Sequence, residues 1–169
     1  MGRDAAQAID WRSRSPDETR ALARGLAAAL LDGGLVVSLV GALGAGKTEF
    51  AKGLAEGLGL PAEALASPSF TIAHELPLPG RGGALRRLVH ADWFRVGSRG
   101  ELEAAGLDDW LAADALLAVE WGDRFPEALG PERLEVRFEE ASDGSRRVAA
   151  RAFGARPAAV LARWGERCR

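Results

Sequence analysis

Apolar and polar positions alternate along this chain with two periods, one helical and one extended. Leu22, Leu26, Leu30 and Leu31 recur at helical spacing, and Ser15-Pro16-Asp17-Glu18 ahead of them is a capping box with the hydroxyl at the cap, proline first and glutamate third. After Gly33-Gly34, the run Leu35 to Val40 is almost wholly apolar and predicts a buried parallel strand. Phe50, Leu54 and Leu58 return to the helical period until Gly59 and Pro61 end it. Phe70 and Ile72 alternate after Pro68, so a strand begins there, and Leu76 to Gly83 is a hairpin or a loop. Leu88 to Arg95 alternates as a strand, with His90, Asp92 and Phe94 on one face if it stays extended. Short helices are expected around Glu101 to Leu107 and through Trp110 and Leu111. Ala115 to Val119 is an apolar strand ending in Glu120-Trp121. Arg133 to Phe138, the turn Ser142 to Ser145, and Val148, Ala150 and Ala152 form a hairpin with one exposed face. Pro157 opens a last helix carrying Val160, Leu161 and Trp164, read as packing or a frayed end. At the other terminus, Ala6 to Trp11 is either an edge strand or a tail packed by Trp11.

These elements predict an α/β fold in one domain over residues 1–169, with residues 1–13 and 156–169 peripheral. Its centre would be a mixed, mostly parallel sheet flanked by helices, with a C-terminal antiparallel hairpin. Charge narrows the function: 22 Lys and Arg against 24 Asp and Glu give a net charge of −2, which argues against nucleic acid as the main ligand. The one cysteine, Cys168, has no intrachain disulfide partner and excludes a cysteine metal cluster. No apolar run approaches the roughly 20 residues of a membrane span. The N-terminus lacks a signal-peptide core, so a cytoplasmic protein is expected.

The chemistry concentrates between the first apolar strand and the helix after it. Gly41-Ala42-Leu43-Gly44-Ala45-Gly46-Lys47-Thr48 fits G-x-x-x-x-G-K-[ST], the phosphate-binding P-loop. Glycines let successive backbone N–H groups converge on phosphate oxygens, and the following helix turns its positive end towards the same anion. Lys47 can reach the outer phosphates, and the Thr48 hydroxyl can ligate Mg²⁺. Strand, glycine loop and helix in this order make a P-loop NTPase domain the expectation. The apolar strand ending in Glu120 looks like a Walker B strand, which brings an acid to Mg²⁺ beside the P-loop threonine. A buried strand would not end in a carboxylate without a partner.

Other positions keep two readings. Asp92, at the end of a strand where ligands of α/β sheets bind, either holds the attacking or a metal-bound water or pairs with Arg95. His90 reads as a core histidine rather than a base. Ser67-Pro68-Ser69 is a turn or a γ-phosphate-sensing loop, and the helix with Glu18 and Thr19 near its start either only packs or lends one of them to a base or ribose. Arg81, Arg86 and Arg87 form a solvated rim or a docking patch.

Among P-loop classes, GTPases read guanine with Asn-Lys-x-Asp, and this chain contains no asparagine. The Ser-Gly-Gly signature of transporter ATPases is also missing. The combination of the P-loop, Ser67-Pro68-Ser69-Phe70, His90-Ala-Asp92-Trp-Phe94-Arg95, Glu103-Ala-Ala-Gly106-Leu107 and Val119-Glu120-Trp121, over about residues 15–155, resembles the TsaE (YjeE) family. The resemblance implies a compact P-loop ATPase, weak alone, which acts with the TsaB–TsaD pair in forming threonylcarbamoyladenosine and meets tRNA only indirectly. It implies ATP and Mg²⁺ as cofactors, with nucleotide held by Gly41, Ala42, Leu43, Gly44, Ala45, Gly46, Lys47, Thr48 and Glu49. Thr48 and Glu120 would hold the metal, Ser69 would belong to a switch-like segment, and Asp92 would assist at the phosphoryl centre beside Lys47. Trp121 would support the site by packing. Ala42 stands where the family usually has Asp, Glu49 where Thr is common, Ser69 in place of Thr, and Phe94 in place of Tyr. The other readings are a small-molecule kinase and a nucleotide-gated binding module with little turnover.

Overall fold

Helix α1 (Pro16–Ala29) begins where the capping box predicts: Ser15 Oγ accepts the Glu18 N–H at 3.1 Å, and the Glu18 carboxylate accepts from Arg14 N at 2.6 Å. The structure, a computed structural model, describes residues 8–31, 33–65, 71–80 and 82–169. Ser67, Ser69, Phe70 and Arg81 therefore lie outside the described residues.

Seven strands among the described residues form one sheet: β1 (Ala8–Ser13), β2 (Leu35–Gly41), β3 (Ala73–Pro77), β4 (Arg87–Asp92), β5 (Ala115–Glu120), β6 (Arg133–Glu140) and β7 (Arg146–Phe153). Their order is β1-β7-β6-β2-β5-β4-β3. β6, β2, β5 and β4 are parallel, while the β1–β7, β7–β6 and β4–β3 pairings are antiparallel. The expected mostly parallel sheet is thus corrected to an evenly mixed one. Antiparallel neighbours need only a short turn, and the chain adds a hairpin on each side of its parallel centre. Leu76 and Pro77 belong to one of them, since β3 includes both and pairs antiparallel with β4.

The sheet is covered on both faces. On one face Val37, Leu39, Leu88, Leu116, Ala118 and Phe138 pack with α1, α2 (Lys47–Gly57) and α5 (Ala155–Arg167). On the other, Val89, Ala91, Leu117 and Val119 meet α3 (Arg99–Ala105), α4 (Leu107–Trp110) and the 3₁₀ turn Pro126–Leu129. The first and last described elements, β1 and α5, join the main core. Trp164 on α5 is fully buried, its ring centroid 4.4 Å from Trp11 and 5.9 Å from Phe50, and its Nε1 donates to Leu22 O at 2.9 Å. The last helix is therefore packed and not frayed, and it starts at Ala155, ahead of Pro157.

α1 and α2 approach closely because small residues face each other. A Cβ on Gly53 would lie 2.5 Å from Arg20 O and 2.7 Å from Ala23 Cβ, and one on Gly57 2.6 Å from Ala27 Cβ. Alanine normally favours a helix interior over glycine by about 1 kcal/mol. At Gly53 the backbone contact outweighs that gain, so Gly53→Ala should destabilise the protein by about 1–3 kcal/mol, the usual cost of overpacking. Chemical denaturation midpoints test this, and a stabilised variant would show that the helices can part without loss.

Candidate functional site

The loop from Gly41 to Gly46 leaves the carboxyl end of β2 and enters α2. Gly44 and Gly46 have φ of 76° and 116°, a region that side chains oppose, so glycine is what allows the backbone to curl there. Gly46 is the N-cap of α2 and contributes no side chain to it. The first amides of the helix thus open towards the loop, an arrangement suited to anions.

The parallel register of β2, β5 and β4 sets Leu39, Glu120 and Asp92 side by side at one sheet edge. Glu120 is only 5% exposed, and its Oε1 accepts the Thr48 hydroxyl at 2.8 Å and the His90 Nε2–H at 2.9 Å. Residues 72 positions apart, Thr48 and Glu120, therefore meet directly. Among the described residues no group of three His, Cys, Asp or Glu side chains is arranged to hold a metal by itself. A hydroxyl and a carboxylate in contact are hard oxygen donors, the partial set that fits Mg²⁺ when nucleotide and water complete its shell.

Lys47 is 4% exposed and turns back on its loop, its ammonium donating to the carbonyls of Gly41 and Ala42 at 2.7 Å each. Burial pushes its pKa below the ordinary lysine value, against the opposing charges of Glu120, Asp92 and Asp123. The Trp121 indole lies 4.4 Å from the same ammonium and packs on Phe94 at 4.9 Å. Trp121 is the one non-glycine residue with positive φ among the described residues (62°), at a cost of about 1–2 kcal/mol for a side chain. That turn directs the ring over Lys47. Sequence carried no sign of it, because glycine and asparagine are the residues expected there.

β4 does not stay extended to Phe94. It ends at Asp92, whose Oδ1 accepts the Phe94 N–H at 2.9 Å, while Arg124 Nη1 donates to the carbonyls of Trp93 and Phe94. Asp92 makes no ion pair with Arg95 among the described residues and instead lines a cavity of about 350 Å³ with Gly44, Lys47, Thr48, Glu49, Glu120 and Trp121. Glu49 is drawn to its flank: Arg20 bonds it at 2.6 Å and Lys52 at 3.0 Å. Burial alone would raise the Glu49 pKa, but these bonds outweigh it and hold it below the usual carboxylate range. A second cavity, about 170 Å³, joins Gly44, Ala45 and Gly46 to Ser15 and Thr19. Thr19 is bound to Ser13 Oγ at 2.8 Å, and Glu18 is taken up by the helix cap. Ala42 lies on the other flank of the loop, where it lines a cavity with Arg137 and Arg146, and Leu43 borders both that cavity and the one at Asp92.

The chain has two lysines, Lys47 and Lys52, so side-chain NMR can follow each. Lys47 should titrate below the ordinary lysine range, as its burial requires. An ordinary titration would mean that its ammonium is hydrated.

Residues 13–148 match a family model described as Threonylcarbamoyl adenosine biosynthesis protein TsaE. The tRNA threonylcarbamoyladenosine biosynthesis protein TsaE of Bacillus subtilis (strain 168) is 40% identical over 148 residues, covering 88% of each chain. The protein of the same name from Streptomyces coelicolor is 44% identical over 123 residues, 72% of this chain and 79% of that one. The crystal structure of YdiB from Bacillus subtilis superposes with a TM-score of 0.74 at 34% identity, covering 95% of this chain and 96% of that one. With the match spanning both the glycine loop and the strand that ends in Glu120, this chain belongs to the TsaE family.

Proposed function

We propose that this protein binds ATP with Mg²⁺ at the loop between β2 and α2 and hydrolyses it, weakly alone and faster with a TsaB–TsaD pair. In this reading it serves threonylcarbamoyladenosine formation on tRNA in the cytoplasm, meeting tRNA only indirectly. The observation that carries the reading is the direct contact of Thr48 and Glu120, delivered from α2 and β5 to the mouth of a glycine loop.

The roles follow from the donors present. Backbone amides of the loop and of the first turn of α2 take the phosphates. The Lys47 ammonium, now on two neutral carbonyls, turns to phosphate oxygens, because charged acceptors make the stronger hydrogen bonds. Mg²⁺ held by Thr48 and Glu120 would neutralise charge on the outer phosphates. Asp92, in the same cavity, orients a water for in-line attack, and Trp121 and Phe94 shield the centre from bulk water. Ser69 belongs to the segment that responds to the γ-phosphate.

Lys47→Ala should weaken ATP binding by about 10–100-fold, the scale of one or two charge-assisted hydrogen bonds. Equilibrium titration with ATP checks this, and unchanged affinity would reject the loop as the phosphate site. Glu120→Gln keeps the shape and leaves Thr48 and His90 a carbonyl to bond. It should fold while losing about 100-fold or more of Mg²⁺-dependent phosphate release, the scale of removing one group aimed at developing charge. Release would be followed with and without a TsaB–TsaD pair. Turnover that rises with a small-molecule acceptor instead would make the protein a kinase.

A further inference from the structure

His90 has no role in the reading above, yet it is fully enclosed and bonded to the acid at the centre of the site. On β4 it stands two residues before Asp92, opposite Ala118 of β5, which stands two residues before Glu120. Side chains alternate along strands, so His90, Asp92, Ala118 and Glu120 share the face that meets α2. The methyl group of Ala118 leaves room for the imidazole to lean across and reach Glu120.

A carboxylate only accepts, so His90 Nε2 carries the hydrogen and Nδ1 is bare. Nδ1 is buried and has no hydrogen-bond partner among the described residues. That agrees with the assignment, since an orphaned buried N–H is the rarer and costlier case. Two donors, Thr48 Oγ1 and His90 Nε2, thus converge on one oxygen, Glu120 Oε1. They are not equivalent. Thr48 is on the loop-to-helix junction and is itself a candidate ligand, whereas His90 is fixed within the sheet.

The geometry points to His90 as the positioning residue of Glu120. Resting on the reading of Thr48 and Glu120 as Mg²⁺ ligands, His90 holds the carboxylate in place when the Thr48 hydroxyl leaves it for the cation. Nucleotide contacts made by the loop and Lys47 do not pass through His90, so its loss should show in the metal requirement and not in metal-free nucleotide affinity.

The test is calorimetric titration of Mg²⁺ into the full-length protein with a non-hydrolysable ATP analogue. His90→Leu should raise half-saturating Mg²⁺ by about 10-fold or more, the usual scale for a group that orients a metal ligand, with analogue affinity in EDTA unchanged. His90→Gln, whose amide nitrogen can stand near the position of Nε2, should recover most of the loss. A leucine variant with the wild-type Mg²⁺ requirement, or a glutamine variant no better than leucine, would overturn the assignment. Wild-type analogue binding indifferent to Mg²⁺ would remove the metal site itself, a failure seen before any variant is made. The tautomer provides a check that does not depend on how the variants fold. The chain has two histidines, His74 and His90, and ¹⁵N spectra of the wild-type protein should show His90 with its hydrogen on Nε2. A hydrogen on Nδ1 with none on Nε2 would overturn the assignment.

Discussion

A carboxylate cannot be left alone inside a protein, and the centre of this fold is arranged around one that is not. Glu120 ends a strand buried along its whole length, where an unpaired charge would cost several kcal/mol. Its two donors come from β4 and α2. For both to arrive, β5 must lie between β2 and β4, and the loop leaving β2 must return its helix over the same face. That is the order the parallel centre adopts. The acid is thus a structural requirement before it is a chemical one.

The surroundings hold this meeting point steady. Helix α2 can bring Thr48 to β5 only while it lies close on α1, and Gly53 and Gly57 remove the side chains that would separate them. Behind α1, Trp164 and Trp11 draw α5 and β1 into the core. At the open edge Arg124 ties the segment after β4 to the turn after β5 through two carbonyls, so Phe94 and Trp121 stay in contact over Lys47.

Much of this was legible in the residues. The cap at Ser15, the strands at Leu35 and Ala115, the hairpin around Ser142 to Ser145 and the glycine loop announce themselves through local pattern, and pattern survives folding where local preference and burial agree. Glu120 was legible as an acid in need of a partner. The partner at Thr48 could be anticipated from the loop, but the one at His90 could not, since it depends on register between two strands and on the small side chain at Ala118. The proportion of antiparallel pairings was hidden for the same reason, because pairing partners are chosen in space. The Trp121 conformation runs against its own local preference. The pairing of Glu49 with Arg20 joins two helices whose mutual approach no single stretch encodes.

That last pair bears on how the loop presents itself to an anion. An acid at the third position of α2 would by itself repel a phosphate approaching the helix end. Here two cations, Arg20 and Lys52, pull its charge sideways and cancel it, so the mouth of the loop keeps the polarity of its amides. The acid becomes a strut between two helices. Attraction for an incoming anion then depends on a neighbour in α1 that never needs to touch it.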